Sequence, residues 1–212
     1  MGTIKQGILG GFSGKVGTVV GSSWKGINYM RGRAQSVKNP RTEGQMEQRS
    51  KFSLALDFLK PITAFIRIGY KVYANKQTAF NAAMSYIVKN AISGAFPNYS
   101  LDHSLTLVSR GNLTQPTNAS AAMGAGKVTV SWTDNSGQGD AQATDVAMPL
   151  AFNADKGEAV FNTAAATRAD QRAELVFPAD WVGDTVEIYL GFVSADGVSV
   201  SNSLYLGSKV VG

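Results

Sequence analysis

At 212 residues the chain can form one large domain or two small ones, and a hydrophobic share of 44% belongs to a globular protein rather than a disordered one. Cysteine is absent, which excludes disulfides, thiol nucleophiles and cysteine-held metals together. The net charge of +5 is unevenly spread: residues 1–100 hold 14 Lys+Arg against 3 Asp+Glu, and residues 101–212 hold 6 against 12. Such a split suits an anionic partner for the first half, or head-to-tail association between copies.

The first zone, residues 1–38, is a glycine-rich arm with nine glycines between Gly2 and Lys38. Glycines at 7, 10, 11, 14, 17 and 21 interrupt its apolar residues, whereas a signal peptide needs roughly 7–15 apolar residues in a row. No window approaches the roughly 18 of a membrane span. The expectation is synthesis in the cytoplasm without a recognisable signal peptide. From Val16 the arm alternates, with Val16, Thr18, Val20, Ser22 and Trp24 on one face. Val19, Gly21, Ser23, Lys25, Ile27, Tyr29 and Arg31 fall on the other. Period-two patterning of this kind predicts extended strand, turned at Ser22 or at Lys25-Gly26. Glycines such as Gly10, Gly14 and Gly17 mark bulges or close backbone approach. Such a zone cannot bury a core alone.

Residues 39–100 read as helical. Thr42 can cap a helix, with Gln45 completing a capping box. Met46, Phe52, Ala55, Leu56 and Leu59 follow as a stripe, with Leu54 and Phe58 beside it. Pro61 ends or kinks that helix, and Ile62, Phe65, Ile66 and Gly69 continue as a short segment. Thr78 can cap a third helix, in which Phe80, Ala83, Met84, Ile87, Val88 and Ala91 keep helical spacing, and Gly94 is a stop signal.

Residues 101–212 read as β, with strands expected at 104–110, 127–133, 144–152, 158–162, 172–177, 184–193 and 198–206, and a further one at 208–211. Turn residues such as Asp134-Asn135-Ser136-Gly137 and Ala195-Asp196-Gly197 separate them. Short strands at this density predict an antiparallel sandwich. Lys127–Trp132, Leu175–Pro178, Val186–Leu190 and Gly197–Ser203 resemble strands of fibronectin type III and related immunoglobulin-like domains, which implies that Trp132 lies in the core. Trp181 departs from that pattern, which more often has an earlier tyrosine in a corner hydrogen bond. The expected fold is therefore α+β: a glycine-rich β-strand arm and helical N-terminal half, followed by an antiparallel immunoglobulin-like β-sandwich. Gly7–Gly17, the block Lys38–Thr42, Gln45, Gln48, Arg49 and Phe52 also resemble a family of uncharacterised bacterial proteins of similar length, which implies the same layout and no activity.

Catalytic and metal signatures are sparse. His103 is the sole histidine, and no Gly-x-Ser-x-Gly elbow or phosphate-binding Gly-x-x-x-x-Gly-Lys-Ser/Thr loop occurs. Asp134, Asp140 and Asp145 could offer oxygens to calcium, but their spacing fits no calcium loop and acidic turn residues ordinarily form turns. The expectation is a protein that is not an enzyme and uses no cofactor.

The basic stretch holds more promise. Lys25, Arg31, Arg33, Lys38, Arg41 and Arg49 are interleaved with Trp24 and Tyr29, and cations with rings can grip nucleic acid. On the helix, Gln45, Gln48, Arg49 and Phe52 share one side. In a lone globule Phe52 is core and the polar three are its solvated margin; in an assembly they meet a neighbour's backbone. A strand arm lacking its own core suits β-augmentation across subunits. The residues expected to join partners are therefore Gly10, Gly14, Gly17, Val19, Trp24, Tyr29, Arg31, Arg33, Arg41, Gln45, Gln48 and Arg49. The favoured role is a structural subunit of a repeated assembly, a virion-like particle, fibre or filament, and its partners are further copies or other subunits. Nucleic-acid binding is the alternative. Adhesion or carbohydrate binding, through loops bearing Trp181 or Asn135, is the third.

Overall fold

The structure, a computed structural model, describes all residues except 1, 5, 6, 8, 9, 25, 37, 38, 40 and 76. The predicted roles of Lys25 and Lys38 in the basic stretch lie outside the described residues. The fold is α+β, and the chain divides into two compact units, Met1–Thr42 and Glu43–Gly212.

The first unit is an antiparallel four-stranded sheet in chain order, β1 (Thr3–Ile4), β2 (Phe12–Val16), β3 (Val19–Trp24) and β4 (Ile27–Gly32). Gly17-Thr18 links β2 to β3, and Gly17 has φ 56, the left-handed backbone that tight hairpin loops require and glycine adopts without a Cβ clash. The chain reverses between Trp24 and Ile27, with Gly26 at φ 84, and not at Ser22, where β3 runs on unbroken. Trp24 pairs with Ile27, Ser22 with Tyr29 and Val20 with Arg31. Cross-strand partners share a face, so Trp24 lies on the same side as Ile27, Tyr29 and Arg31. The alternation read as one continuous strand put them on opposite sides; the hairpin reverses the chain and restores the match.

The second unit opens with α1 (Glu43–Leu59), α2 (Thr63–Gly69) and α3 (Ala79–Asn90). Proline 61 lies just past the end of α1, and Thr78 caps α3, its hydroxyl accepting from the Asn81 amide at 3.1 Å. Gly94 does not end α3. It sits inside β5 (Ile92–Ala95), which pairs with β6 (Asn98–Leu101) in a hairpin that the helical reading of 39–100 missed.

Two antiparallel sheets follow. One orders β12 (Arg172–Val176), β8 (Lys127–Thr133) and β7 (Thr117–Gly124). The other orders β10 (Glu158–Phe161), β9 (Val146–Asn153), β13 (Thr185–Val193) and β14 (Leu204–Val210), with β11 (Ala166–Thr167) also paired to β9. The predicted strand at 104–110 is absent: Asp102 accepts from the Ser104 amide at 2.9 Å and starts a 3-10 turn over His103–Leu105. Instead the first strand is β7, whose alanine, serine and asparagine content carries little β signal. The stretch 198–206 is likewise not one strand, since Val200 and Ser201 make only isolated bridges before β14 begins.

Both faces of β9 and β13 are covered. Met148, Leu150, Phe152 and Tyr189 pack with Phe58, Leu59, Phe65, Ile66, Met84 and Ile87 of the helices. Ala147, Ala151, Val186, Ile188, Leu190 and Phe192 share a second cluster with Val128, Val130 and Trp132 of β8 and Ala173 and Leu175 of β12. This double burial explains the near-unbroken apolar run from Val146 to Phe152. Helices and both sheets thus belong to one compact unit.

Candidate functional site

The expected partner-binding residues fall into two groups, the strands of the first unit and the exposed side of α1. On the sheet, Lys15 pairs with Val20, and Val20 with Arg31. One face therefore carries Lys15, Val20 and Arg31 at one end, Ser22 and Tyr29 next, and Trp24 with Ile27 at the hairpin tip. Trp24 is 65% exposed, and Ile27, Tyr29 and Arg31 are exposed as well. Arg33 follows just past β4, where its amide donates to the Thr18 carbonyl at 2.7 Å. The opposite face carries Gly14 paired with Gly21, and Val19 paired with both Val16 and Gly32. The structure thus brings Trp24, Tyr29 and Arg31 together, and sets Gly14 and Val19 on the other side.

Gly21 is there because nothing larger fits: a Cβ would stand 2.2 Å from the Phe12 carbonyl oxygen and 2.5 Å from its ring. It is also the one buried residue among the described residues of this unit. Gly10 donates its amide to Gly7 at 2.9 Å and lines a hollow of about 400 Å³ with Gly11, Phe12, Asn28, Tyr29 and Met30. β4 is the outer strand, and all six of its residues are exposed. Its register gives the inward hydrogen bonds to Ile27, Tyr29 and Arg31, opposite the tight loop, and leaves the backbone of Asn28, Met30 and Gly32 at the edge. An outer strand that presents its backbone groups in this way is a template for pairing with another chain. All seven Lys and Arg of residues 1–42 stand without a single Asp or Glu.

On α1, burial is confined to Ala55, Phe58 and Leu59. Gln45, Gln48 and Arg49 are exposed, and Phe52, on the same side, is 54% exposed. The stripe expected to be core is therefore only partly so, since Met46 and Leu56 are exposed too. The helix reaches beyond the sheet that it covers, and its first turns meet the β5–β6 hairpin instead. There the Tyr99 hydroxyl and the Lys51 ammonium each donate to Glu47 Oε1 at 2.7 Å, and Lys51 lies 4.7 Å from the Tyr99 ring centre. Those bonds, Lys51 first, hold the Glu47 carboxyl below its ordinary range. Phe52 borders a groove of about 220 Å³ with Asn81, Met84, Ser85, Val88 and Lys89 of α3. Arg41 lies outside the helix with φ 46; it sits in the first unit and its side chain is exposed.

The residues weighed for other chemistry serve the fold. Asp145 and Arg168 form an ion pair at 3.0 Å, with Arg168 fully buried. The same guanidinium donates to Asn135 Oδ1 at 2.7 Å and the Thr114 carbonyl at 2.9 Å, and sits 4.4 Å from the Phe192 ring. The Trp132 indole donates to the Arg168 carbonyl at 2.8 Å. Asp140 accepts from the Thr114 amide and hydroxyl, and Asp134 from Ser136; these bonds hold both carboxyls low. Among the described residues no group of three His, Asp or Glu stands close enough to hold a metal. Trp181 and Asn135, the loop residues proposed for glycan contact, are 1% and 3% exposed. Trp181 stacks on Phe177 at 5.6 Å and donates to Glu158 at 3.2 Å. Both side chains are packed inside the fold.

The fold and these surfaces define an α+β protein with a separate basic strand unit. No helix among the described residues is long and apolar enough to cross a membrane. The chain belongs to DUF6266, a family of unknown function, whose model matches residues 11–207. No curated protein and no solved structure matches.

Proposed function

We propose that this protein is a non-enzymatic structural subunit of a multi-subunit assembly, joined to its neighbours through the N-terminal arm. The observation that carries this reading is the arm's lack of a core. Its described residues bury Gly21 alone while exposing Ile4, Val16, Trp24, Ile27 and Met30. An isolated sheet of this size is marginal in water, and an apolar tip beside an open edge strand is the surface that a partner chain covers. The exposure of Phe52 next to Gln45, Gln48 and Arg49 supports the same view, since a lone globule would bury it. We take the C-terminal sheets to be an immunoglobulin-like sandwich presented by this joint. In support, the first, second and fifth main strands form one sheet and the third, fourth, sixth and seventh the other, as in fibronectin type III domains.

Light scattering after size exclusion, on the full chain and on a chain lacking residues 2–42, tests the assembly. A large defined species that collapses to monomer on deletion is expected. A monomer in both, at low and high salt, sinks the reading.

A second reading, nucleic-acid binding, is favoured by Lys15, Arg31, Trp24 and Tyr29 sharing one acid-free face. It requires affinity that falls steeply with salt and drops when Arg31 and Arg33 become alanine.

A further inference from the structure

An arginine outside the basic stretch, Arg110, is held between two aromatic rings. Arg110 follows a segment pinned from two sides. On one side α2 ends at Gly69, where a Cβ would stand 2.6 Å from the Val108 carbonyl oxygen. On the other, a Cβ at Gly111 would stand 2.0 Å from the Val200 carbonyl oxygen. Only glycine at both positions lets the backbone come so close. The Arg110 amide donates to the Gly69 carbonyl at 2.8 Å, and the neighbouring Ser109 hydroxyl donates to Ser201 at 2.9 Å.

The side chain is held as firmly as the backbone. The guanidinium carbon lies 4.4 Å from the Tyr73 ring centre and 5.1 Å from that of Tyr86, so two rings hold it by cation–π attraction. Among the described residues no carboxylate pairs with Arg110 or with Lys89. That is unusual in a unit whose 15 acidic residues outnumber its 13 Lys and Arg.

Arg110 borders a cleft of about 340 Å³ whose lining includes Tyr73, Gln77, Ser85, Tyr86, Lys89 and Asn90, with no acidic residue. Its volume falls in the range of small-ligand sites, about 300–1,000 Å³. Ala82, Ser85, Tyr86 and Lys89 recur at helical spacing, so one stripe of α3 forms the wall. The Gln77 amide nitrogen donates to the Tyr73 carbonyl at 3.2 Å and that of Asn90 to the Tyr86 carbonyl at 2.8 Å. The two side-chain oxygens therefore remain as acceptors, and Ser85 adds a hydroxyl. A fixed guanidinium beside an ammonium recognises an oxyanion; amide oxygens and a hydroxyl recognise hydroxyl groups.

We propose that this cleft binds a small acidic sugar, its anionic group on Arg110 and Lys89 and its hydroxyls on Ser85, Gln77 and Asn90. The anion is the carboxylate of a sugar acid or the phosphate of a sugar phosphate. The site lies wholly within the second unit and is independent of the arm, so it stands or falls apart from the assembly.

Titrating the full chain with glucuronate, glucose 6-phosphate, glucose, acetate and inorganic phosphate, followed by amide NMR shifts, tests it. One acidic sugar is expected to saturate shifts in α3 and around Arg110 with a Kd of about 1 mM, and the tighter of the two identifies the anion. Arg110→Lys keeps the charge but loses the planar fork, and is expected to weaken binding about tenfold. Lys89→Ala, an exposed change on α3, is expected to weaken it about threefold without altering the melting temperature. Absence of saturable binding by either acidic sugar overturns the proposal, as does equal binding by glucose or by acetate and phosphate alone. So does binding that survives Arg110→Lys unchanged. A fall in melting temperature in Arg110→Lys without any binding to lose would mark the clamp as structural and overturn it equally.

Discussion

The two units solve the folding problem in opposite ways. Residues 43–212 bury two apolar clusters, with helices on one face of the larger sheet and a second sheet on the other. Residues 1–42 have a comparable strand pattern but, among those described, bury only Gly21. The difference is in what covers each sheet. In the second unit β9 and β13 are covered on both faces, whereas the arm's strands have hairpin geometry and exposed side chains. Strand-forming sequence makes a sheet in both; only cover makes a core. Charge follows the same division, with every acidic residue of the chain in the second unit.

The comparison can be broken hardest at Arg168. Arg168→Leu removes the guanidinium from Asp145, Asn135 and Thr114 and leaves the Asp145 carboxylate buried without its cation. A loss of about 3–5 kcal/mol is expected in denaturant unfolding, confined to the second unit. If the arm's amides lose exchange protection to the same extent, the units are not independent.

A smaller effect is expected from Gly21→Ala. The added methyl meets the Phe12 carbonyl and ring, and overpacking of this kind costs about 1–3 kcal/mol. Against the arm's small intrinsic stability that is enough to raise hydrogen exchange across β2, β3 and β4 while the melting of the second unit stays unchanged. Unaltered exchange in those strands would show that the arm tolerates the change and is not held at Gly21.

The smallest effect concerns His103, whose ring nitrogen Nδ1 lies 3.0 Å from the Tyr189 hydroxyl. Burial holds its pKa below the ordinary 6.5, against the opposing pull of Glu187 and Asp102. The unfolded chain therefore binds this proton at a higher pH than the folded protein does. Stability from this group is fully present above about pH 6.5 and declines as the pH falls below it. His103 is the sole histidine, so the fall in urea midpoint between about pH 6.5 and 5.5 should flatten in His103→Asn. An unchanged profile would place the titration elsewhere.

Much of this organisation was legible in residue order. Thr78 before an amphipathic run marks the start of α3, and Lys127–Thr133 alternates so regularly that its strand matches residue for residue. The core position of Trp132, 4% exposed, is what the resemblance to fibronectin type III strands implied. Strand β7 was not legible, because its Ala, Ser, Asn and Gly residues have weak β preference and gain their order from β8. The β5–β6 hairpin was masked by Gly94, equally suited to stop a helix or to bend a strand at φ 93. Of the surface residues, Trp24, Tyr29 and Arg31 were singled out as neighbours in sequence, but their common face depended on where the hairpin turned. Arg110 gave no signal at all, being a lone arginine in an ordinary stretch.

By itself, then, the sequence determined the local choices: the helices from their spacing and caps, most strands from alternation, the absence of cysteine chemistry and the concentration of cations at one end. These depend on neighbours a few residues apart. The tertiary structure alone decided which apolar residues became core. Phe52 and Phe58 both lie on α1 with similar hydrophobicity, but only Phe58 meets Phe152 and Tyr189. It likewise decided that Arg168 pairs 23 residues away with Asp145, and that Arg110 stands between two tyrosines with no carboxylate paired to it among the described residues. Burial and pairing depend on contacts between distant segments, and those exist only once the sheets and helices have packed.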